Sequence, residues 1–114
     1  MNVLLILNDA PYGSERSYNG LRLARALTNK NAAVTVFLMA DAVSCAKQGQ
    51  KVPQGYYSIE QMLTSVLRSG EVLLCGTCMD ARGLAEAEIV QGARRSAMDE
   101  LAGRTIEADR VLVF

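Results

Sequence analysis

Cys75 and Cys78, in the run Leu74-Cys75-Gly76-Thr77-Cys78, are the side chains best fitted to chemistry here, and Arg82-Gly83 follows them closely. A thiol reacts as its thiolate, and helix N-terminal amides or nearby cations lower its pKa from about 8.5. The amides of Gly76 to Cys78 and the guanidinium of Arg82 are candidates for both effects. Four uses compete. Cys75 can be a nucleophile that takes up sulfane sulfur as a persulfide and hands it on, with Cys78 resolving or assisting. The two can form a redox C-x-x-C couple, although Asp80 and Gly83 argue against the long helix that normally carries such a motif. They can bind zinc, although three cysteines without a histidine fall short of four ligands unless a carboxylate or second subunit helps. Finally, they can be small buried hydrophobes, which is the preferred reading of Cys45 and is weighed evenly against function for Cys78.

Cys75 is favoured as the reactive atom because of what must position it. Glu71 to Cys75 reads as a strand, and in an open α/β sheet chemistry gathers just past the carboxyl ends of the strands. Asn2 to Asn8, Ala33 to Met39 and Arg110 to Phe114 are further apolar runs of the kind buried on both faces of a parallel sheet. Asp9, Tyr12 and Asp41 lie just past the first two and are plausible pocket walls. A phosphate-binding reading of the loop Asp9-Ala10-Pro11-Tyr12-Gly13 is set aside, because no glycine-rich phosphate motif is present. Ser14 is expected to cap a helix through about Asn29, with Gly20 letting it approach the sheet. Asp41 to Lys47 reads as a helical turn or two, and 48–57 as a sizeable loop, either a lid or contact surface or a bare connector.

Ser58-Ile59-Glu60-Gln61 is a capping box. Ile59, Met62, Leu63, Val66 and Leu67 behind it form an amphipathic helix, with Gly70 expected in a left-handed terminating position. Leu84 to Glu88 reads as a helical turn and Ile89-Val90 or Ala93-Arg94 as a short strand. Ser96 with Asp99 is expected to cap a last helix whose inner face is Met98, Leu101, Ala102 and Ile106. The final strand is expected to be buried, against another subunit if not within the chain. Strands alternating with helices imply right-handed βαβ units: one domain over 1–114, four or five parallel strands between two helix layers.

Twelve basic residues balance twelve acidic ones, so the basic footprint of a nucleic-acid binder is missing. No histidine means no Ser-His or Cys-His triad. Val3 to Leu7 is too short for a signal sequence, and no apolar run reaches membrane-spanning length, so a cytoplasmic protein with reduced thiols is expected. Neither a metal nor an organic cofactor is expected.

With these residues in place, the chain resembles the DsrE-like (DsrE/F-like) family, in particular its small YchN-like members. The likeness runs nearly end to end through Asn8 to Glu15, Phe37 to Val43, the Gly49-to-Tyr56 loop, Gln61-Met62-Leu63, Leu74 to Cys78, Asp80 to Gly83 and Ala108 to Leu112. It implies a three-layer α/β/α fold with a mostly parallel sheet of about five strands, assembled as a homo-oligomer, a hexamer built from smaller rings or dimers. It also implies a cysteine at a strand tip near subunit interfaces. In the sulfur-relay members that cysteine carries persulfide sulfur between donor and acceptor proteins, toward tRNA thiolation or sulfur oxidation. Counting back from Arg82-Gly83, the matching residue is Cys75. The family's relay proteins usually carry a single such cysteine, so Cys78 and Cys45 are departures. They leave open a C-x-x-C thiol-disulfide oxidoreductase, and a non-enzymatic assembly protein that binds a small ligand or partner.

Overall fold

The computed structural model describes residues 1–114 as a five-stranded, all-parallel sheet flanked by helices. In chain order the elements are β1 (Asn2–Leu7), α1 (Arg16–Asn29), β2 (Ala33–Leu38), α2 (Ile59–Leu67), β3 (Glu71–Cys75), α3 (Gly76–Ala81), β4 (Arg94–Ser96), α4 (Met98–Glu107) and β5 (Arg110–Val113). Short 3-10 segments cover Ala40–Ala46 and Glu86–Glu88. Across the sheet the order is β4-β3-β2-β1-β5. The apolar runs form its centre: Val3, Leu5, Leu7, Val34, Val36, Leu38, Val72 and Leu74 pack on one side with α1 and α2.

Handedness explains the layering. The steps β1 to β2, β2 to β3 and β3 to β4 all advance toward the same edge, so right-handed crossovers put their connections on one face. The step from β4 to β5 runs back across the whole sheet, so α4 lies alone on the other face. The core divides accordingly into a cluster of 22 buried residues on the first face and one of 5 on the second: Leu4, Phe37, Leu73, Cys75 and Leu101.

Several expectations change at this level. The helix expected from Ser14 starts at Arg16; the Ser14 hydroxyl instead accepts the Arg16 N–H at 3.3 Å and donates to Asp9 at 2.6 Å. Ser58 caps α2 by accepting the Gln61 N–H at 3.3 Å, but the Gln61 side chain makes no return bond, so only half of the box forms. Gly70 does not adopt positive φ. It is glycine because a Cβ there would stand 2.6 Å from the Val34 carbonyl oxygen. Gly20 fulfils its expected role: a Cβ would lie 2.5 Å from Leu7 and 3.3 Å from the Phe114 ring.

The fourth strand is Arg94–Ser96, and Ile89 makes only an isolated antiparallel bridge to Lys47. Ser96 therefore ends a strand and does not cap α4, whose flanking residue Ala97 makes no side-chain cap. Of the expected inner face of α4 only Leu101 is buried; Met98 is 60% and Ile106 84% exposed. β5 is likewise an edge strand, not a buried one, with Val113 66% exposed. One helix about 10 Å wide cannot cover five strands about 4.8 Å apart.

Candidate functional site

Cys75 is the last residue of β3, and α3 begins at the next residue. What reads in sequence as a cysteine-bearing turn is thus a six-residue helix with Cys75 at its N-cap. The Cys78 N–H, in the first turn, donates to Cys75 Sγ at 3.4 Å. Cys75 is 7% exposed, packed among Leu4, Phe37, Leu73 and Leu101, while Cys78 is half-buried.

This setting reverses the expected electrostatics of Cys75. Its pKa is raised, first by burial and next by the Cys78 thiol beside it, against the opposing N–H groups of Cys78 and Thr77. A helix of one and a half turns supplies too few donors to offset the lost hydration of a thiolate. At neutral pH the resting group is the protonated thiol.

Arg82 was expected to support the thiolate, but its donors go elsewhere. Its Nε and Nη2 each lie 2.9 Å from Asp41 Oδ1, and Nη1 donates to the Cys78 carbonyl at 3.1 Å. Arg82 and Asp41 therefore meet, as a clasp that ties the end of α3 to the 3-10 segment after β2. The cation laid along the cysteine turn is Arg95, which sequence reasoning missed. A Cβ on Gly76 would lie 2.6 Å from Arg95 Nε, so Gly76 leaves room for that guanidinium. Asp80 holds it with two bonds of 2.8 Å. The pKa of Arg95 is raised, chiefly by Asp80 and in lesser part by Glu86 and Cys75, and that of Asp80 is lowered by Arg95. The signal was the Arg94-Arg95 doublet: successive strand residues face opposite sides, so Arg94 reaches Glu100 while Arg95 reaches Asp80.

Asp9 and Tyr12 organise loops. Asp9 accepts from Ser14, and its backbone carbonyl accepts from Ser17 at 2.7 Å. The Tyr12 hydroxyl donates to Gln50 at 2.6 Å and accepts the Ile59 N–H at 3.1 Å, pinning the 48–57 loop to the start of α2. None of the four surface grooves is lined by Asp9, Tyr12, Asp41, Cys75, Cys78 or Arg82, so these residues share no pocket within one chain. Cys45 is fully buried, its Sγ 3.8 Å from the Asp9 carbonyl, and burial pushes its thiol up to about 12. No three cysteine or carboxylate side chains gather in a way that could hold a metal ion, and no helix is long and apolar enough to cross a membrane.

Comparison with known proteins gives consistent matches. The sequence profile of the DsrE/DsrF-like family matches residues 1–114. Protein YchN of Escherichia coli K12 is 42% identical over 115 residues, spanning 98% of this chain and 97% of that protein. The uncharacterized protein MK0008 of Methanopyrus kandleri is 32% identical over 112 residues, spanning 98% of this chain and 93% of its own. The crystal structure of the E. coli ychN protein superposes with a TM-score of 0.93, covering 100% of this chain and 99% of that one. The structure of MTH1491 from Methanobacterium thermoautotrophicum, at 13% identity, shares the fold with a TM-score of 0.78 over 99% of this chain and 97% of that one.

Proposed function

We propose that this chain, which belongs to the DsrE/DsrF-like family, a family associated with sulfur relay, carries sulfane sulfur on Cys75. The observation supporting this reading is the placement of Cys75 at the carboxyl tip of β3, with the first-turn N–H of Cys78 directed at its sulfur. In the loading step the Cys75 thiol loses its proton and the thiolate attacks the outer sulfur of a donor persulfide R–S–SH. The new bond is Cys75 S–S; the donor's S–S bond breaks, and R–S⁻ leaves and takes up a proton. Sulfur changes carrier with no net oxidant or reductant. A perthiol is a stronger acid than its parent thiol, so the loaded Cys75–S–S⁻ ionises more readily than the resting group. Cys78, one helical turn away, can instead discharge the loaded group: its thiolate attacks the inner sulfur, a Cys75–Cys78 disulfide forms and HS⁻ leaves. An external dithiol or two thiol molecules must then reduce that disulfide to restore the carrier.

The test is intact-mass spectrometry after incubation with a cysteine desulfurase and cysteine, which should add about 32 Da at Cys75. Cys75→Ser should remain unlabelled. An unlabelled wild type, or a label that persists in Cys75→Ser, rules the carrier out. A thiol-disulfide oxidoreductase is the second reading, favoured by the N-cap position of Cys75 and the first-turn position of Cys78 after a strand. It requires a Cys75–Cys78 disulfide that forms and reduces reversibly in a glutathione redox titration.

We also propose that the protein acts as a homo-oligomer. The half-covered sheet face that bears Cys75 continues onto Val111 and Val113, in register with Leu4 and Ile6. Sulfur donor and acceptor proteins would be its further partners.

A further inference from the structure

From a different part of the molecule we infer a binding site for a nucleoside monophosphate, in the groove between α1 and α2. This open groove, of about 510 Å³, is lined by Tyr18, Arg22 and Arg25 of α1, by Gln61 of α2 and Arg68 just after it, and by Tyr56 and Tyr57 from the preceding loop. Its size falls in the usual range for small-molecule sites.

Three features define the ligand. The first is charge: three arginines line one groove that has no aspartate or glutamate in its wall, and none of the three takes part in an ion pair. The chain as a whole is neutral, so this is a local concentration of positive charge that a phosphate would neutralise, with guanidinium geometry suited to it. The second is a built aromatic shelf. Tyr12, Tyr57 and Tyr18 form a continuous stack, with centroids 5.8 and 4.1 Å apart, and Arg22 closes its far end 5.5 Å above Tyr18. That stack uses up the faces of its own rings but fixes the loop bearing Tyr56. Tyr56 is 70% exposed and stacks on no other aromatic ring, leaving a free face for a base. The third is Gln61, whose side chain, released from the capping role its sequence suggested, makes no internal hydrogen bond and can donate to and accept from a base edge. A phosphate on the arginines, a base on Tyr56 and an amide at the base edge match one nucleotide. The limited size of the groove and the zero net charge of the chain favour a free mononucleotide over a strand.

The experiment is calorimetric titration of the intact protein with adenosine 5′-monophosphate at low ionic strength, with inorganic phosphate, adenosine and a trinucleotide as comparison probes. The expected result is saturable binding of one nucleotide per chain, tighter than either phosphate or adenosine alone. Arg25→Gln and Arg68→Gln should each weaken it about tenfold, and Tyr56→Ala about tenfold. Cys75→Ser should bind as the wild type does, so loss of the sulfur-carrier reading would leave this site standing. Phosphate binding as tightly as the nucleotide would overturn the proposal, as would a trinucleotide preferred by more than about tenfold or no saturation by about 5 mM. Unchanged binding in both arginine variants would do so too.

Discussion

At the scale of single residues, the two buried thiols behave as weak acids, and each gives a measurable consequence. Cys75 should react with iodoacetamide slowly at neutral pH. Its rate should keep rising at pH values where an ordinary thiol has levelled off, because its pKa is raised by burial and by Cys78. Cys78→Ala removes the second cause and should move the profile of Cys75 to lower pH; quantitative mass spectrometry of the alkylated peptide reads both. Cys45 tests the sign in stability. Its thiol is pushed from 9.0 up to about 12, so above about pH 9 the unfolded chain loses a proton that the folded chain keeps. Stability is therefore whole below pH 9 and falls as pH rises toward 12, by about 2 kcal/mol between about pH 8 and about pH 10.5. Cys45→Ala should cost about 1 kcal/mol at neutral pH but lack this alkaline loss, as urea midpoints at the two pH values would show.

At the scale of elements, β4 and α4 are joined by one carboxylate. Glu100 accepts from Arg94 at 2.9 and 2.6 Å and from Ser96 at 2.5 Å, and lies 3.5 Å from Arg104, which also pairs with Glu71. Arg94 and then Ser96 hold its carboxyl down to about 2, against an ordinary 4.5. Its contribution is therefore present above about pH 4.5 and lost as pH falls toward 2. Arg94 is more than half exposed, so screening limits that contribution to about 1 kcal/mol. Glu100→Gln should be less stable by that amount at neutral pH and indistinguishable from wild type near pH 2, measured by chemical denaturation.

This cluster also shows where sequence reasoning stopped. Continuous apolar runs such as Val3 to Leu7 and Val34 to Leu38 have one physical solution, so the central strands and Cys75 at the end of β3 were legible. Arg94 to Ser96 was legible only through the alternative Ala93-Arg94, because a three-residue edge strand carries no apolar pattern. The same ambiguity hid Arg95. Met98, Leu101, Ala102 and Ile106 read as the inner face of the last helix, yet only Leu101 is buried; periodicity marks an apolar stripe without saying whether its own chain covers it. Nor did the positions of Cys75 and Arg82 reveal that the thiol is buried or that Asp41 takes up the guanidinium, because both depend on contacts distant in sequence.

At the scale of the whole molecule, the single reversal in strand order decides which surface is left unfinished. Met98, Ile106, Val111 and Val113 are exposed on or beside the face that α4 covers alone. Burying an exposed valine or isoleucine contributes roughly 1.5–3 kcal/mol, so this band is the surface on which the proposed homo-oligomer can be tested. Sedimentation velocity should show an assembly for the wild type. Val113→Asp and Ile106→Asp should shift it toward the monomer while circular dichroism stays that of the folded chain. A wild type that sediments as a monomer would remove the oligomer proposal.

The pairing of β5 with β1 also has a bearing on synthesis. Asp109 N–H reaches the Asn2 carbonyl, and Phe114 exchanges backbone bonds with Ile6 and Asn8, so the earliest strand waits for the latest across nearly the entire chain. Contacts of such long sequence separation form slowly. Until Arg110 to Val113 is in place, β1 presents that flank bare, an adhesive edge. Whatever delays the closing strand leaves β1 open to pairing with another chain.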